Sequence, residues 1–168
     1  LPGSKIVIDD LAWLIKNGFE KYLISKKKPI VAICGGYEMM FERILDPLHI
    51  ESEQEEVKGF GRFKGKVTFK KEKIVKKGTY NLFNCVIDGY EIHNATTKKK
   101  AKTKKNLYGT FIHGIFDNDE FRYRLFSSIN KSYKGYKFKK YKAKAIKKFA
   151  LHINKYVDMD TIKKAIYE

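Results

Sequence analysis

The spacing of apolar and polar residues along the first part of the chain predicts a helix, a strand and a second helix in succession. Apolar residues recur at helical spacing over 9–24, and Asp9 or Asp10 can cap the first turn. The run Ile30–Ile33 predicts a short buried strand, and 38–44 predicts the helix that follows it. Helices that alternate with strands in this way are typical of an α/β fold.

The rest of the chain predicts short strands first and helices later. The predicted strands cover 60–63, 66–69, 84–87, 90–93 and 107–112, and the predicted helices cover 119–130 and 143–157. Asp160 is expected to cap a last short turn. The first four strands have no helices between them, so we expect them to form an antiparallel edge or flap beside the main sheet.

Composition limits the class of protein. With 168 residues, 43% of them hydrophobic, the chain can bury one substantial core, which predicts one domain over 1–168. Cys34 and Cys85 are its two cysteines, and no leader pattern opens the chain. No apolar stretch reaches the ~20 residues of a membrane helix. We therefore expect a soluble, cytoplasmic protein with no membrane partner.

The net charge of +17 raises the question of nucleic-acid binding. Most of the excess is lysine in runs such as 26–28, 98–105 and 134–148, where loops and solvated helix faces place it. No zinc-finger spacing, helix-turn-helix pattern or RNA-recognition motif accompanies these runs. We expect no nucleic-acid partner, although such a positive field would attract an anionic polycarboxylate.

Cys34 stands where a strand ends abruptly and a helix follows, with Gly35 and Gly36 behind it. Glycine tolerates the backbone angles of such a sharp turn. This is the arrangement of a nucleophile elbow, here with sulfur in place of a serine hydroxyl. The start of the following helix is expected to favour the thiolate form of Cys34. A buried structural cysteine is the alternative.

A cysteine nucleophile needs a base, and four histidines are available. His93 and His113 each end a short apolar strand, whereas His49 and His152 lie in a loop and on a helix surface. Because functional groups gather beyond the carboxyl ends of parallel strands, we predict His113 as the base. The histidines and cysteines lack the spacing of a metal site, so no metal is expected.

Four short motifs occur in order along the chain. They are Leu-Pro-Gly-Ser-Lys at 1–5, Ile-Cys-Gly-Gly-Tyr at 33–37, Gly-Tyr-Glu-Ile-His at 89–93 and Gly-Thr-Phe-Ile-His-Gly-Ile-Phe-Asp-Asn-Asp at 109–119. Together they resemble the C-terminal glutaminase domain of the cobyric acid synthase family, from residue 1 to about residue 126. The related cobyrinic acid a,c-diamide synthase family remains an alternative, although its first loop resembles Pro-Gly-Gly-Tyr.

The resemblance implies a class I, triad-type glutamine amidotransferase with a flavodoxin-like α/β fold, a mostly parallel sheet and helices on both faces. Such a domain hydrolyses glutamine through a cysteinyl thioester and supplies ammonia. A separate ATP- and Mg²⁺-dependent domain would activate peripheral carboxylates of a corrinoid substrate in cobalamin biosynthesis. We expect that domain, and the first strands of the sheet, upstream of residue 1. No phosphate-binding Gly-x-x-x-x-Gly-Lys-Ser/Thr loop occurs in the chain, so no cofactor is expected here.

The resemblance also assigns roles to individual residues. Cys34 matches the nucleophile and His113 the base. The residues expected to bind the oxyanion or the substrate are Gly3, Ser4, Gly35, Tyr37 and Glu38.

The chain departs from the family pattern at informative positions. Ile115 stands where the wider class carries the glutamate that orients the histidine, so Glu91, Asp117 and Asp119 are left as possible orienting carboxylates. Glu38 stands where the family has glutamine, and its charge could repel the substrate. These departures leave a second hypothesis open, in which the domain is a degenerate, non-catalytic binding or scaffolding module. The sequence does not indicate which oligomeric state the protein adopts.

Overall fold

A computed structural model describes residues 1–24 and 28–167. The chain forms two compact units, Leu1–Tyr133 and Lys134–Glu168. The lysine run 26–28, predicted to lie in a loop, is partly outside the described residues. None of the helices in these ranges combines the length and the apolarity needed to cross a bilayer.

Two helices, α1 (Val7–Lys16) and α2 (Glu20–Ile24), open the first unit, so the single helix predicted over 9–24 is wrong. Gly18 has a φ of +68°, a left-handed conformation that ends α1. The N–H of Gly18 donates to the Ile15 carbonyl and that of Phe19 to the Leu14 carbonyl, which closes the helix end. The start also differs from the prediction, since Asp9 and Asp10 lie inside the first turn of α1.

The next elements are β1 (Ile30–Ile33), the short helix α3 (Gly35–Met39) and β2 (Phe41–Leu45). The strand and the turn are confirmed, but the helix predicted over 38–44 is wrong. Within β2, Phe41 and Ile44 are buried, and the strand pairs with neighbours on both sides. Pairing and burial therefore outweigh the helical spacing of these residues.

A long hairpin replaces the short strands predicted over 66–69, 84–87 and 90–93, whereas the strand predicted over 60–63 is wrong except at Phe63. After β3 (Glu56–Lys58), β4 (Phe63–Leu82) and β5 (Cys85–Thr96) pair antiparallel, with an irregularity between Phe69 and Ile74. Phe83 and Asn84 form its turn with φ values of 55° and 58°, as a primed two-residue turn requires. β4 runs beyond the predicted segment because its exposed, lysine-rich portion also pairs with β5.

The first unit ends with β6 (Ala101–Lys104), β7 (Leu107–Thr110), a 3-10 turn (Ile115–Asp117) and α4 (Asp119–Ile129), which confirms the helix predicted there. The strands form two sheets, ordered β1-β7-β6 and β3-β2-β4-β5. Pairing is parallel between β1 and β7 and between β2 and β4, and antiparallel elsewhere. The α/β fold, with sheets flanked by helices, is as predicted, but in place of the expected mostly parallel sheet the described residues form two sheets in which three of the five strand pairings are antiparallel. Cys34 and the His113 segment follow the same ends of the parallel strands β1 and β7.

Tyr37 lies at the centre of the first unit's core. Its ring contacts those of Phe41, Phe63 and Phe111 edge-on, with centroids 5.0 to 5.7 Å apart. The second unit contains α5 (Phe138–Tyr156), which includes the helix predicted over 143–157, and α6 (Met159–Tyr167). The first turn of α6 is capped by Asp158, which accepts hydrogen bonds from Thr161, and not by Asp160 as predicted.

Candidate active site

Cys34 occupies a strained turn between β1 and α3. Its φ of 52° and ψ of −115° are angles that residues other than glycine rarely adopt, and holding such a residue costs about 1–3 kcal/mol. Two hydrogen bonds fix the turn, from the N–H of Cys34 to the Thr110 carbonyl at 2.8 Å and from the N–H of Glu38 to the Cys34 carbonyl at 3.0 Å. A strained strand-to-helix turn of this kind is the geometry expected of a nucleophile elbow.

The loop formed by residues 1–4 packs directly against this elbow. The N–H of Ile33 donates to the Leu1 carbonyl and that of Gly36 to the Pro2 carbonyl, both at 3.0 Å. A Cβ on Gly35 would lie 2.8 Å from the backbone nitrogen of Ser4, and one on Gly36 only 2.6 Å from the Leu1 carbonyl oxygen. The two glycines therefore bring the N–H groups of the loop close to the nucleophile.

Changing Gly36 to alanine is expected to displace this loop. Because the added methyl group would collide with backbone atoms, which cannot rotate away, the free energy of unfolding should fall by about 1–3 kcal/mol. Thermal unfolding of the full-length protein measures the loss. Gly78→Ala is the matched control, since the nearest atoms to its Cβ lie at an ordinary 3.6 Å. Equal stability of the two variants would contradict the close packing.

His113 and Cys34 flank Gly3. A Cβ on Gly3 would lie 3.2 Å from Cε1 of His113 and 4.0 Å from Sγ of Cys34. The His113 ring stacks on the ring of Tyr90 with centroids 5.0 Å apart, and its backbone pairs with Tyr90 in both directions. Nε2 of His113 is buried and has no hydrogen-bond partner among the described residues. The ring of His113 and the sulfur of Cys34 therefore both lie next to Gly3, and Nε2 of that ring has no partner in the described part of the chain.

The resting protonation states of this pair differ from the expectation. Burial, followed by repulsion from Glu38, raises the pKa of Cys34 to about 12, although the Gly35 N–H and Lys73 act in the opposite direction. The expected stabilisation of a thiolate by the helix start is therefore wrong, because α3 is short and buried beside carboxyl groups. Burial, followed by repulsion from His93, lowers the pKa of His113. The sulfur is thus a thiol at rest, and its hydrogen bond goes to the Ile92 carbonyl at 3.7 Å and not to His113. Nucleophilic attack by this thiol would require a base to remove its proton.

A cleft of about 650 Å³ opens at this pair. It is lined by Gly3, Ser4, Lys5, Cys34, Glu38, Lys73, Ile92, His93, Asn94 and His113. Of the residues predicted to bind the oxyanion or substrate, Gly3, Ser4 and Glu38 line the cleft. Gly35 lies directly beside it, next to Ser4. Tyr37 does not line it, because its ring is in the core and its hydroxyl donates to the Lys99 carbonyl at 2.9 Å.

Comparison with known proteins identifies the family of the domain that contains this cleft. A family model described as the CobB/CobQ-like glutamine amidotransferase domain matches residues 1–121, which include both the elbow and His113. The chain belongs to this family.

The relatives of this amidotransferase domain include several proteins named cobyric acid synthase. The one from Acinetobacter baylyi is 40% identical over 171 residues, which cover 100% of this chain and 37% of the relative. Those from Clostridium perfringens strain SM101 and Ruminiclostridium cellulolyticum are 36% and 33% identical, covering 84% and 100% of this chain and 35% and 41% of the relatives. The chain thus spans about two fifths of the length of the relatives.

The possible orienting carboxylates of the amidotransferase site have other partners. Glu91 is buried, and its carboxylate accepts hydrogen bonds from Lys100 at 2.7 Å and Tyr80 at 3.1 Å. Asp119 forms an ion pair with Arg122 on the same helix, and Asp117 lies in the 3-10 turn beyond His113. Ile115, at the position of the usual glutamate, is fully buried in an apolar cluster. The third member of the catalytic group therefore stays a prediction.

His93 is the cleft residue that sequence reasoning undervalued. Its Nδ1 faces the Ala95 carbonyl at 2.7 Å, its Nε2 faces Glu91 at 3.3 Å, and its ring stacks on Phe111 with centroids 3.9 Å apart. Both ring nitrogens thus face acceptors, which fix the orientation of the ring in the cleft. Its place in the Gly-Tyr-Glu-Ile-His motif was the available signal.

Sequence reasoning also missed Lys5 and Lys73 as cleft residues, for a different reason. Lysine is so common in this chain that no single one stands out. Lys73 lies at the irregularity of β4, before pairing with β5 resumes at Ile74, and this break in register was not predictable from the sequence. The two lysines add positive charge to a cleft that also contains the carboxyl group of Glu38. The described residues hold no cluster of three or more potential metal ligands.

Proposed function

We propose that this domain hydrolyses glutamine to glutamate and ammonia through a Cys34 thioester. The observation that carries the proposal is the shared cleft of Cys34 and His113, at the ends of the parallel strands β1 and β7. Its volume of about 650 Å³ accommodates an amino acid. The lysines at the cleft supply the positive charge that the α-carboxylate of glutamine requires.

The chemistry follows from the two side chains. His113 takes the proton of the Cys34 thiol as the sulfur attacks the carboxamide carbon, and it then gives that proton to the departing nitrogen. A carbon–sulfur bond forms, the carbon–nitrogen bond breaks, and ammonia leaves. Water, activated by the neutral imidazole, then hydrolyses the thioester to glutamate and restores the thiol.

The negative oxygen of the tetrahedral intermediate needs backbone donors. The N–H of Gly35, next to the nucleophile, and that of Gly3 or Ser4 in the packed loop are the groups we assign to this role. No hydrogen bond among the described residues uses the N–H of Gly3 or Ser4. Each such donor contributes roughly 2.7–4 kcal/mol to kcat.

We further propose that the ammonia amidates peripheral carboxylates of a corrin ring in cobalamin biosynthesis. The similarity to proteins named cobyric acid synthase supports this assignment. ATP and Mg²⁺ would be used by a separate domain, which activates the acceptor carboxylate. The reaction requires a reduced sulfur, and both Cys34 and Cys85 are free thiols, which suits a cytoplasmic setting.

Isotope transfer tests the proposal in the full-length protein. Glutamine carrying ¹⁵N in its amide is supplied with ATP, Mg²⁺ and a corrinoid polycarboxylate, and the product is analysed by mass spectrometry. We expect one ¹⁵N for each amide formed. The number of amides also distinguishes the cobyric acid synthase reaction from formation of an a,c-diamide. Products that gain nitrogen from ammonium salts but never from glutamine would contradict the proposal.

A further inference from the structure

Glu38 is a buried carboxyl group inside the cleft. Its side chain lies on α3, and the residue is 2% exposed. Oε2 of Glu38 has no hydrogen-bond partner among the described residues, although the side chain lines the cleft together with Cys34. A buried oxygen without a partner, next to the nucleophile, is a free position for a substrate group.

We propose that Glu38 binds the carboxamide of glutamine in its neutral, protonated form, so that affinity for glutamine falls when this carboxyl group ionises. The inference rests on the proposed function. It concerns a residue that determines specificity in the same site, and it explains how an acidic residue can stand where the family has glutamine.

The charges around Glu38 favour the neutral form. Glu51 approaches it from the loop after β2 and repels its ionised form. The Glu51 carboxylate is held in place, because it accepts the Val7 N–H at 2.7 Å while the Glu51 N–H donates to Asp46 at 2.8 Å. Burial, followed by repulsion from Glu51, raises the pKa of Glu38 to about 8.

Titratable and charged groups on the other elements line the same cleft as this carboxyl group. They are Lys5 before α1, Cys34 at the elbow, Lys73 on β4, His93 on β5 and His113 after β7. The lysines are exposed at the cleft mouth, where water screens their charge. Neither lysine compensates for the solvation free energy that a fully buried carboxylate loses.

A neutral carboxylic acid is chemically suited to this task. It offers one O–H donor and one carbonyl acceptor, and a primary carboxamide offers the matching acceptor and donor. Glutamine at this position would present the same pair of groups. An ionised carboxylate only accepts, so the carbonyl oxygen of the substrate would face another acceptor. It would also repel the thiolate that forms at Cys34.

The pH dependence of KM for glutamine separates the two forms. Glutamate release is measured on the full-length protein and on the full-length Glu38→Gln variant from pH 6 to 10. We expect KM of the unaltered protein to rise up to tenfold for each pH unit above about 8, the limit for loss of a single proton. KM of Glu38→Gln should lack this rise. Any titration of glutamine itself affects both proteins equally.

Glu51→Gln provides a matched second variant. Removing its charge lessens the repulsion that keeps Glu38 neutral, so the rise in KM should begin at a lower pH. An amide oxygen at position 51 can still accept the Val7 N–H, which preserves the start of α1.

The outcomes distinguish this inference from the proposed function. Parallel KM profiles of the unaltered protein and Glu38→Gln would overturn the role of Glu38 alone. A KM that falls with pH in the unaltered protein would do the same, since it would mean that ionised Glu38 binds the α-ammonium group. If neither protein releases glutamate at any pH, the proposed function fails and this inference fails with it.

Discussion

Glutamine hydrolysis is expected to disappear when Cys34 is replaced by alanine in the full-length protein. Loss of the nucleophile from comparable catalytic groups lowers kcat by roughly 10⁶-fold, because no other group can form the covalent intermediate. Glutamate release, followed at saturating glutamine, should fall to the background rate. Amidation with ammonium salts should continue, because it bypasses the glutaminase cleft.

Cys85→Ala is the control for the Cys34 variant. Cys85 is also buried, but it packs in the apolar cluster of the first unit that contains Ile115 and does not line the cleft. Its loss should leave kcat for glutamine unchanged within a few fold, and thermal unfolding of the variant measures any change in stability separately. Hydrolysis that survives Cys34→Ala and disappears with Cys85→Ala would contradict the assignment.

Replacing His113 with asparagine should lower kcat by roughly 10²- to 10⁴-fold, the usual contribution of a general base. The pKa of His113 is lowered from the ordinary value of about 6.5. In the unaltered protein, kcat/KM should therefore fall as the pH drops through a value below 6.5, where the imidazole becomes protonated. The variant should lose this acid limb as well as its rate, and a pH profile from 4.5 to 8 shows both effects.

His152→Asn serves as the comparison for His113. His152 lies on the exposed surface of α5, in the other compact unit. Its replacement should change neither the rate nor the acid limb. If the acid limb persists in His113→Asn, another group is the base, and His93 is then the first candidate because it lines the same cleft.

The local geometry of the nucleophile could be predicted from the sequence. Four apolar residues followed by Cys34, Gly35 and Gly36 specify a strand that ends in a sharp turn, and the structure has that strand and turn. Of the four strand residues, however, only Ala32 is fully buried. The placement of Cys34 and His113 in one cleft also follows, because the parallel pairing of β1 with β7 places the segments after both strands at one edge of a sheet. In both cases local sequence and simple strand topology contain the necessary information.

Other features depend on contacts between distant residues. Phe41 and Ile44 have helical spacing relative to one another, but the presence of β4 and β3 beside them makes the segment a strand. The protonation of Glu38 depends on Glu51, which is brought close by the loop that folds around Asp46. The pKa of Cys34 rises for the same reason, since burial and a carboxyl neighbour outweigh a single turn of helix. None of these effects can be predicted from local sequence.

Covalent labelling tests the central claim most directly. The full-length protein is treated with a glutamine-derived electrophile, with and without excess glutamine, and its peptides are mapped by mass spectrometry. The account predicts modification of Cys34, protection by glutamine, little labelling in His113→Asn and none at Cys85. An unmodified Cys34 in a protein that still releases glutamate would contradict the account, and an unmodified Cys34 in an inactive protein would support the scaffolding hypothesis instead.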